Sequence, residues 1–188
     1  MRLLLTGSSG PKVASRVATE LAQHHDVIGV DLVPSPTTSI VADITQIRDW
    51  QPYLSGVDAV VHFAALHAPH RETHSDAQFR RTNVVATRHL LDAARDASVK
   101  RFLLAGSTSV YGKAMRDKTA AVWVTEQLQP VAEDIYDETK LTAEQLCREA
   151  FSPSFTTAVF AVFPRTRAID GPLSPVSRRR CPRCSAGI

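Results

Sequence analysis

Short apolar runs alternate with longer amphipathic segments along most of this chain. The runs predict six strands, at Arg2–Thr6, Asp26–Asp31, Ser39–Asp43, Asp58–Ala64, Arg101–Ala105 and Phe155–Phe163. Between them, the spacing of apolar residues predicts helices over Val13–His24, Ile44–Leu54, Asp76–Ala97 and Tyr136–Ala150. Near-continuous apolar strands separated by helices are typical of a parallel sheet covered on both faces. The pattern therefore predicts an α/β fold, a doubly wound parallel sheet of Rossmann-like, three-layer α/β/α type.

Two segments fit this pattern poorly. The connection over residues 112–130 is longer than the usual loop of about 2–6 residues. From about Arg165 onward the apolar periodicity fades into a segment rich in proline and arginine. We therefore predict one folded domain over residues 1–164 and a basic, poorly ordered tail over 165–188.

The charge is unevenly placed, although composition is that of an ordinary globular protein, with 44% hydrophobic and 22% charged residues. Residues 1–164 carry 16 Lys and Arg against 18 Asp and Glu, a net −2, whereas 165–188 carry 6 Arg against 1 Asp, a net +5. The mildly acidic region over residues 1–164 has no basic surface typical of nucleic-acid binding. We interpret Arg178–Arg180 as part of a solvated tail; binding of phosphate or nucleic acid by that tail is the alternative.

No apolar run reaches the roughly 20 residues of a membrane span. The first apolar run ends at Thr6, too early for a signal peptide, so we expect a cytoplasmic protein.

Cysteines and histidines do not predict a metal site. Zinc sites use four ligands, whereas Cys181 and Cys184 form a single C-x-x-C pair, and Cys147 falls in a helical pattern as a core residue. Four histidines gather around the loop after the fourth predicted strand, at His62, His67, His70 and His74. They bridge a strand end and an irregular loop, so we expect His67 or His70 to line a substrate entrance rather than bind metal.

A glycine loop follows the first strand, with Gly7, Ser9 and Gly10 in the run TGSSG. Backbone N–H groups and the positive end of the following helix favour a pyrophosphate there. Asp31 ends the second strand, 24 residues after Gly7, where a carboxylate accepts hydrogen bonds from an adenosine ribose. Residues 32–47 contain no Lys or Arg to bind a 2′-phosphate, so NAD is favoured over NADP. The alternative for the glycine loop is a plain turn between strand and helix without a ligand. The alternative for Asp31 is an aspartate that caps the following turn.

Tyr136 and Lys140 lie four residues apart and so share one helical face. A free tyrosine titrates near pH 10, and a neighbouring lysine cation together with a positive nicotinamide ring would lower the pKa of the phenol. The pair then forms a base that works near neutral pH. Ser107 falls at the end of the fifth strand, beside the crevice where such a sheet binds its ligand.

These features resemble the extended short-chain dehydrogenase/reductases of the NAD-dependent epimerase/dehydratase family, from about Arg2 to Phe163. The similar motifs, in order, are TGSSG, Asp31, Ala42-Asp43, VVHFAA, TNVVATRHLLDAAR, STSVYG and YDETK. The resemblance implies that Tyr136 is the general acid/base, that Lys140 holds the nicotinamide ribose and lowers the pKa of Tyr136, and that Ser107 hydrogen-bonds the reacting hydroxyl or carbonyl.

For the cofactor, the resemblance implies that Asp43 lies near the adenine and that Ala64 and Ala65 present backbone to it. Asn83 would stand near the cofactor or brace the start of its helix. It further implies a sugar or nucleotide-sugar substrate and a homodimer formed through the helices that hold residues 83–95 and 136–150.

The chain departs from the family pattern in two places. The third loop glycine is replaced by Val13, or, with one inserted residue, by Ala14; we prefer Ala14 because it adds only one methyl. Pro11 has no N–H to offer a phosphate, which would weaken binding. Beyond the sixth strand the family's substrate-binding part is not apparent, so we interpret the chain as a truncated member. An NAD-dependent enzyme acting on a sugar hydroxyl and a non-catalytic NAD(P)-binding or interaction protein are both open.

Overall fold

A computed structural model describes residues 1–114 and 127–162. Within them, six parallel strands form one sheet in the order β3-β2-β1-β4-β5-β6. The strands are β1 Arg2–Thr6, β2 Asp26–Asp31, β3 Ile40–Val41, β4 Ala59–His62, β5 Arg101–Ser107 and β6 Thr156–Val162. The α-helices are α1 Ala14–Ala22, α2 Gln51–Leu54, α3 Asp76–Phe79, α4 Ala86–Asp96 and α5 Ile135–Ala150. The predicted doubly wound, Rossmann-like fold is confirmed.

The strand order reverses between β1 and β4, which are direct neighbours in the sheet. Open sheets of this kind bind ligands outside the carboxyl ends of the strands at such a reversal. Thr6 and His62 are paired at these two carboxyl ends. This position is therefore where the fold places a ligand crevice.

Neighbouring residues of each strand point to opposite faces of the sheet. Both faces are apolar, and helices cover both. Leu4 on one face belongs to a large core that also contains Trp50, Leu90 and Phe102. Leu5 on the other face packs in a smaller cluster of buried residues with Ala14, Ala18 and Val61. Cys147 is buried in the larger core, as expected, and burial raises the pKa of its thiol to about 12.

Most predicted elements differ from the structure by one or two residues at an end, and the third strand, the second helix and the helix over 76–97 differ most. The third strand and the second helix are shorter than predicted. The Asp43 carboxylate accepts a hydrogen bond from the Thr45 N–H, and the Asp49 carboxylate accepts one from the Gln51 N–H, and both bonds form local turns in place of regular structure. The long helix predicted over 76–97 is interrupted by a π-helical turn at Arg80–Val85.

The predicted tail, its C-x-x-C pair and part of the connection over 112–130 lie outside the described residues. Among the helices described, none has the length and apolar character needed to cross a bilayer.

Candidate functional site

The glycine loop after β1 is held tightly against the loop after β4. Gly7 has a φ of 72°, and a β-carbon there would lie 2.6 Å from the amide nitrogen of Ala64. The Ser9 N–H donates to the Asp31 carboxylate over 2.8 Å, and the Gly10 N–H donates to the Gly7 carbonyl over 3.1 Å. Only glycine fits at position 7, and Asp31 fastens the loop to the end of β2.

The start of α1 shows how the loop accommodates its extra residue. The Ser15 N–H donates to the Gly10 carbonyl over 3.0 Å, one residue wider than the α-helical spacing. Ala14 is the first residue of α1 and is buried. A β-carbon on Gly10 would lie 3.3 Å from the Ala14 β-carbon. This geometry agrees with one inserted residue and with Ala14, rather than Val13, against the loop.

A cavity of about 530 Å³ opens between the glycine loop and the loop after β4. Seven of the predicted cofactor residues line it: Gly7, Ser9, Gly10, Asp31, Asp43, Ala64 and Ala65. His67 and His70 also line the cavity, together with His74, and the His67 N–H donates to the Nδ1 atom of His70 over 2.8 Å. In the described part of the chain, no group of three potential ligands could hold a metal ion.

A buried chain of hydrogen bonds connects the loop after β4, which lines this cavity, to α4. The Thr87 hydroxyl donates to the Asn83 carbonyl over 2.8 Å, so it accepts from the Nε2–H of His62, 2.9 Å away. The Nδ1 atom of His62 then accepts from the Thr6 hydroxyl over 2.6 Å, and Thr6 accepts from the Ala64 N–H over 3.4 Å. Burial lowers the pKa of His62 to about 3, so the ring is neutral.

Asn83 braces two elements instead of lining the cavity. Its Oδ1 atom accepts from the Leu66 N–H over 2.7 Å, and its amide donates to the Leu66 carbonyl and to the Thr139 hydroxyl, each over 3.0 Å. Thr139 in turn donates to the Tyr136 carbonyl over 2.9 Å. Asn83 therefore ties the loop after β4 to α5, and its predicted position near the cofactor stays a prediction.

Tyr136 lies in the first turn of α5 and is buried, and Ser107 lies at the end of β5. Its ring centroid is 6.1 Å from that of His67, which places the phenol beside the cavity. Burial raises the pKa of Tyr136, the Ser107 hydrogen bond opposes this, and the charges of Asp137 and Asp134 raise it further. Ser107 and Tyr136 thus lie near each other, and their shared catalytic role stays a prediction.

Lys140 follows one turn later in α5 and is also buried. Its ammonium donates to the Ala105 carbonyl over 2.5 Å. Burial lowers the pKa of Lys140 to about 8, while the Glu144 carboxylate acts in the opposite sense. The lysine therefore carries its positive charge at neutral pH, and this charge lies close to the end of β5. Its predicted effect on the pKa of Tyr136 stays a prediction.

Sequence reasoning missed several polar residues that support these groups. Thr6 and Thr87 were not singled out, and His62 was noticed only as one of four histidines. The available signal was a polar residue at the end of an otherwise apolar strand, as in LLLT and VVHF. Ser109 and Asp137, which contact Ser107 directly or through one another, were also missed.

The sheet order and the glycine loop at its reversal define a Rossmann-like class of dinucleotide-binding fold. Residues 3–173 match the model of the NAD dependent epimerase/dehydratase family. The chain belongs to this family.

Individual relatives share about a third of the aligned residues. The chain is 33% identical over 157 residues to a 3-beta-hydroxysteroid dehydrogenase of Mycolicibacterium neoaurum, covering 77% of this chain and 42% of that protein. It is 29% identical over 192 residues to an uncharacterized UDP-glucose epimerase, YtcB, of Bacillus subtilis, covering 89% and 58%. The chain thus spans about half the length of these curated relatives.

Solved structures agree with this assignment. A short-chain dehydrogenase/reductase superfamily protein from Agrobacterium tumefaciens with bound NAD is 32% identical, with a TM-score of 0.73 over 86% of this chain and 48% of that one. MoeE5 in complex with UDP-glucose and NAD is 30% identical, with a TM-score of 0.70 over 86% and 53%.

Proposed function

We propose that this protein binds NAD in the cavity at the carboxyl ends of β1, β2 and β4, and transfers a hydride between NAD and a sugar or nucleotide-sugar substrate. One observation carries the proposal. Seven predicted cofactor residues line a single cavity, and the buried Ser107–Tyr136 pair lies beside it. NAD is bound in both similar structures described above.

The residues around the cavity fit NAD on their own chemistry. The two oxygens of Asp31 accept from Ser9 and Val33 N–H groups, over 2.8 and 3.2 Å, and each oxygen retains a lone pair for a ribose hydroxyl. The N–H groups of Ser9 and Gly10 donate within the protein. A pyrophosphate would therefore use amide groups beyond Pro11, at the N-terminal end of α1.

When bound, NAD would supply the hydride acceptor. Tyr136 would take the proton of the substrate hydroxyl, or return it in the reverse direction. Ser107 would hydrogen-bond the reacting oxygen, and the Lys140 ammonium would add positive charge to a site from which burial has removed water. A positive charge in a dry site stabilises a developing oxyanion more strongly than in water.

The substrate class rests on the similar proteins. MoeE5 was solved with UDP-glucose and with UDP-glucuronic acid, and YtcB carries the name of a UDP-glucose epimerase. A 3β-hydroxysteroid is the second candidate, because the steroid dehydrogenase is 33% identical. Both substrates present a secondary hydroxyl, so the same acid/base pair would serve either one.

Reduction of NAD tests the proposal. Purified protein is mixed with NAD and either UDP-glucose or a 3β-hydroxysteroid, and reduced nicotinamide is followed by its absorbance or fluorescence. We expect turnover or a single-turnover burst in the wild type and none in Tyr136→Phe, with NAD binding retained. Tyr53→Phe, which alters a tyrosine beside Trp50, is the matched control. Equal activity in Tyr136→Phe would reject the assignment.

A binding protein without catalysis is the alternative function. It is favoured by the burial and the carboxylates that raise the pKa of Tyr136. Saturable NAD binding with no NAD reduction by any offered hydroxyl substrate would establish it.

We also propose a cytoplasmic homodimer formed through α4 and α5. Val85, which immediately precedes α4, is 60% exposed and so is free to pack against a partner in the pairing that the family resemblance implies. Sedimentation of the wild type against Val85→Glu tests the pairing, and a monomeric wild type would reject it.

A further inference from the structure

Two arginines from one segment of the chain reach across to the start of α5. Arg71, in the 3₁₀ turn that follows the loop after β4, pairs with the Asp134 carboxylate. Arg80, which opens the π-helical turn after α3, pairs with the Glu138 carboxylate over 2.9 Å. Asp134 is the N-cap of α5 and Glu138 lies in its first turn, so the two carboxylates stand on either side of Tyr136 along the helix. We call these two ion pairs the α5 clamp.

The Arg71–Asp134 pair is fixed at both ends. The Nε–H of Arg71 also donates to the Ala68 carbonyl over 3.1 Å, which holds the guanidinium against its own turn. The Asp134 carboxylate uses one oxygen for Arg71 and the other for the Asp137 N–H, over 3.0 Å. The pair thus joins the 3₁₀ turn directly to the capping bond at which α5 begins.

The segment that holds both arginines also forms one wall of the cavity. Its side of the cavity is lined by His67, His70, His74, Gln78, Arg81 and Thr82. The His67 ring centroid lies 6.1 Å from that of Tyr136, so the cavity wall and the tyrosine meet directly. The α5 clamp holds together the two elements on which these rings are carried.

A buried hydrogen bond joins the same two elements at a third point. The Asn83 amide donates to the Thr139 hydroxyl over 3.0 Å, on the C-terminal side of Tyr136. The α5 clamp adds a contact at the N-cap, on the other side of the tyrosine. A helix that is held on both sides of a residue cannot tilt freely at that residue, so the three contacts together fix the place of Tyr136 against the cavity wall.

We propose that Arg71 and Arg80 are positioning residues for Tyr136. They hold the first turn of α5 in place against the cavity wall, and so set where the phenol oxygen meets a substrate hydroxyl beside NAD. This inference rests on the proposed function, because a bound substrate gives that position its chemical use. Neither arginine touches the reacting atoms in this account.

Loss of the α5 clamp should change catalysis more than stability. The side chains of Arg71, Arg80 and Glu138 are 47%, 56% and 51% exposed. Ion pairs with such exposure contribute little to the free energy of unfolding. A displacement of about 1 Å at a reacting group, by contrast, can lower a rate about 100-fold. Variants that break the α5 clamp should therefore fold and yet react slowly.

Charge reversal tests the Arg80–Glu138 pair. NAD reduction is measured with UDP-glucose or the 3β-hydroxysteroid, whichever is turned over, for Arg80→Glu, for Glu138→Arg and for the double variant that carries both changes. We expect each single change to lower kcat about tenfold, with KM near its wild-type value, because the helix moves while the cavity remains. The double variant restores an ion pair of reversed direction and should recover kcat.

A contact between two rings reports the position of Tyr136 without any catalysis. The His67 and Tyr136 ring centroids are 6.1 Å apart, so their protons should give a nuclear Overhauser contact in the full chain without cofactor or substrate. We expect Arg80→Glu to weaken this ring contact and the double variant to restore it. Arg71→Met should weaken it as well, and serves as the second variant, because it breaks the other ion pair of the α5 clamp.

Asp26→Arg is the matched control. Asp26 pairs with Arg2 over 3.3 Å at the amino ends of β1 and β2, away from the cavity, and its side chain is 68% exposed. Its charge reversal breaks an exposed ion pair of the same kind and should leave both the ring contact and kcat unchanged.

The ring contact and NAD reduction separate this proposal from the proposed function. A ring contact that is absent from the wild type, or that persists at wild-type strength in a folded Arg80→Glu or Arg71→Met variant, overturns the proposal, whatever the rates. A ring contact that weakens in these variants while the wild type reduces no NAD rejects the function and keeps the α5 clamp. NAD reduction by the wild type with an unmoved ring contact in the variants does the reverse.

Discussion

A β-carbon on Gly7 would lie 2.6 Å from the amide nitrogen of Ala64. This approach joins the loop after β1 to the loop after β4, the two loops between which the cavity opens. It also explains why the first glycine of TGSSG admits no side chain: the position combines a positive φ with contact against backbone that cannot move aside.

Gly7→Ala should therefore destabilise the protein more than a positive φ alone would. Gly56 supplies the comparison, because its φ is 70° but a β-carbon there would meet only a side-chain nitrogen of Arg2, at 3.8 Å. We expect Gly56→Ala to cost about 1 kcal/mol, the cost of left-handed backbone, and Gly7→Ala to cost more. Urea unfolding of both variants measures the difference; equal costs would show that the contact with Ala64 is easily relieved.

Buried His62 should make stability depend on pH. Its pKa falls from 6.5 to about 3 in the folded protein, so between these values the unfolded chain binds a proton that the folded chain does not. Stability then rises by about 1.4 kcal/mol per pH unit across this window and is lost as the pH falls. Urea unfolding at several pH values should show a flatter slope for His62→Gln. His89→Gln, at an exposed position, should keep the wild-type slope.

Buried Lys140 should lower the stability of the folded protein. Its pKa falls from 10.5 to about 8, so stability rises as the pH increases between these values. We expect Lys140→Met to raise the free energy of unfolding at neutral pH by about 3 kcal/mol, to remove the rise at alkaline pH, and to weaken NAD binding. Thermal melts and NAD titrations of Lys140→Met and of exposed Lys100→Met measure these effects. A less stable Lys140→Met would mean that the bond to Ala105 outweighs the burial of charge.

The fold was predictable because its signal is periodic and local. Apolar runs and helical spacing located all six strands, and the rule for parallel crossovers then limited their arrangement. The lengths of β3 and α2 were not predictable from that signal. They depend on Asp43 and Asp49 accepting backbone hydrogen bonds two residues away, and such turns compete with regular structure.

The candidate site was predictable only in part, for a related reason. Glycines and Asp31 stand at strand ends, which a strand prediction locates. The bond from Ser109 to Asp137 spans 28 positions, and the bond from Thr6 to His62 spans 56. Such pairings depend on register between strands and helices, which no local pattern in one sequence specifies.

Calorimetric titration of NAD into the wild-type chain tests the central claim most directly, because the proposed binding would use the glycine loop, Asp31 and the loop after β4 together. We predict saturable binding at one site, weakened in Asp31→Asn, with NADP bound less tightly than NAD. A folded wild-type chain that gives no heat of binding with NAD or NADP would contradict the account.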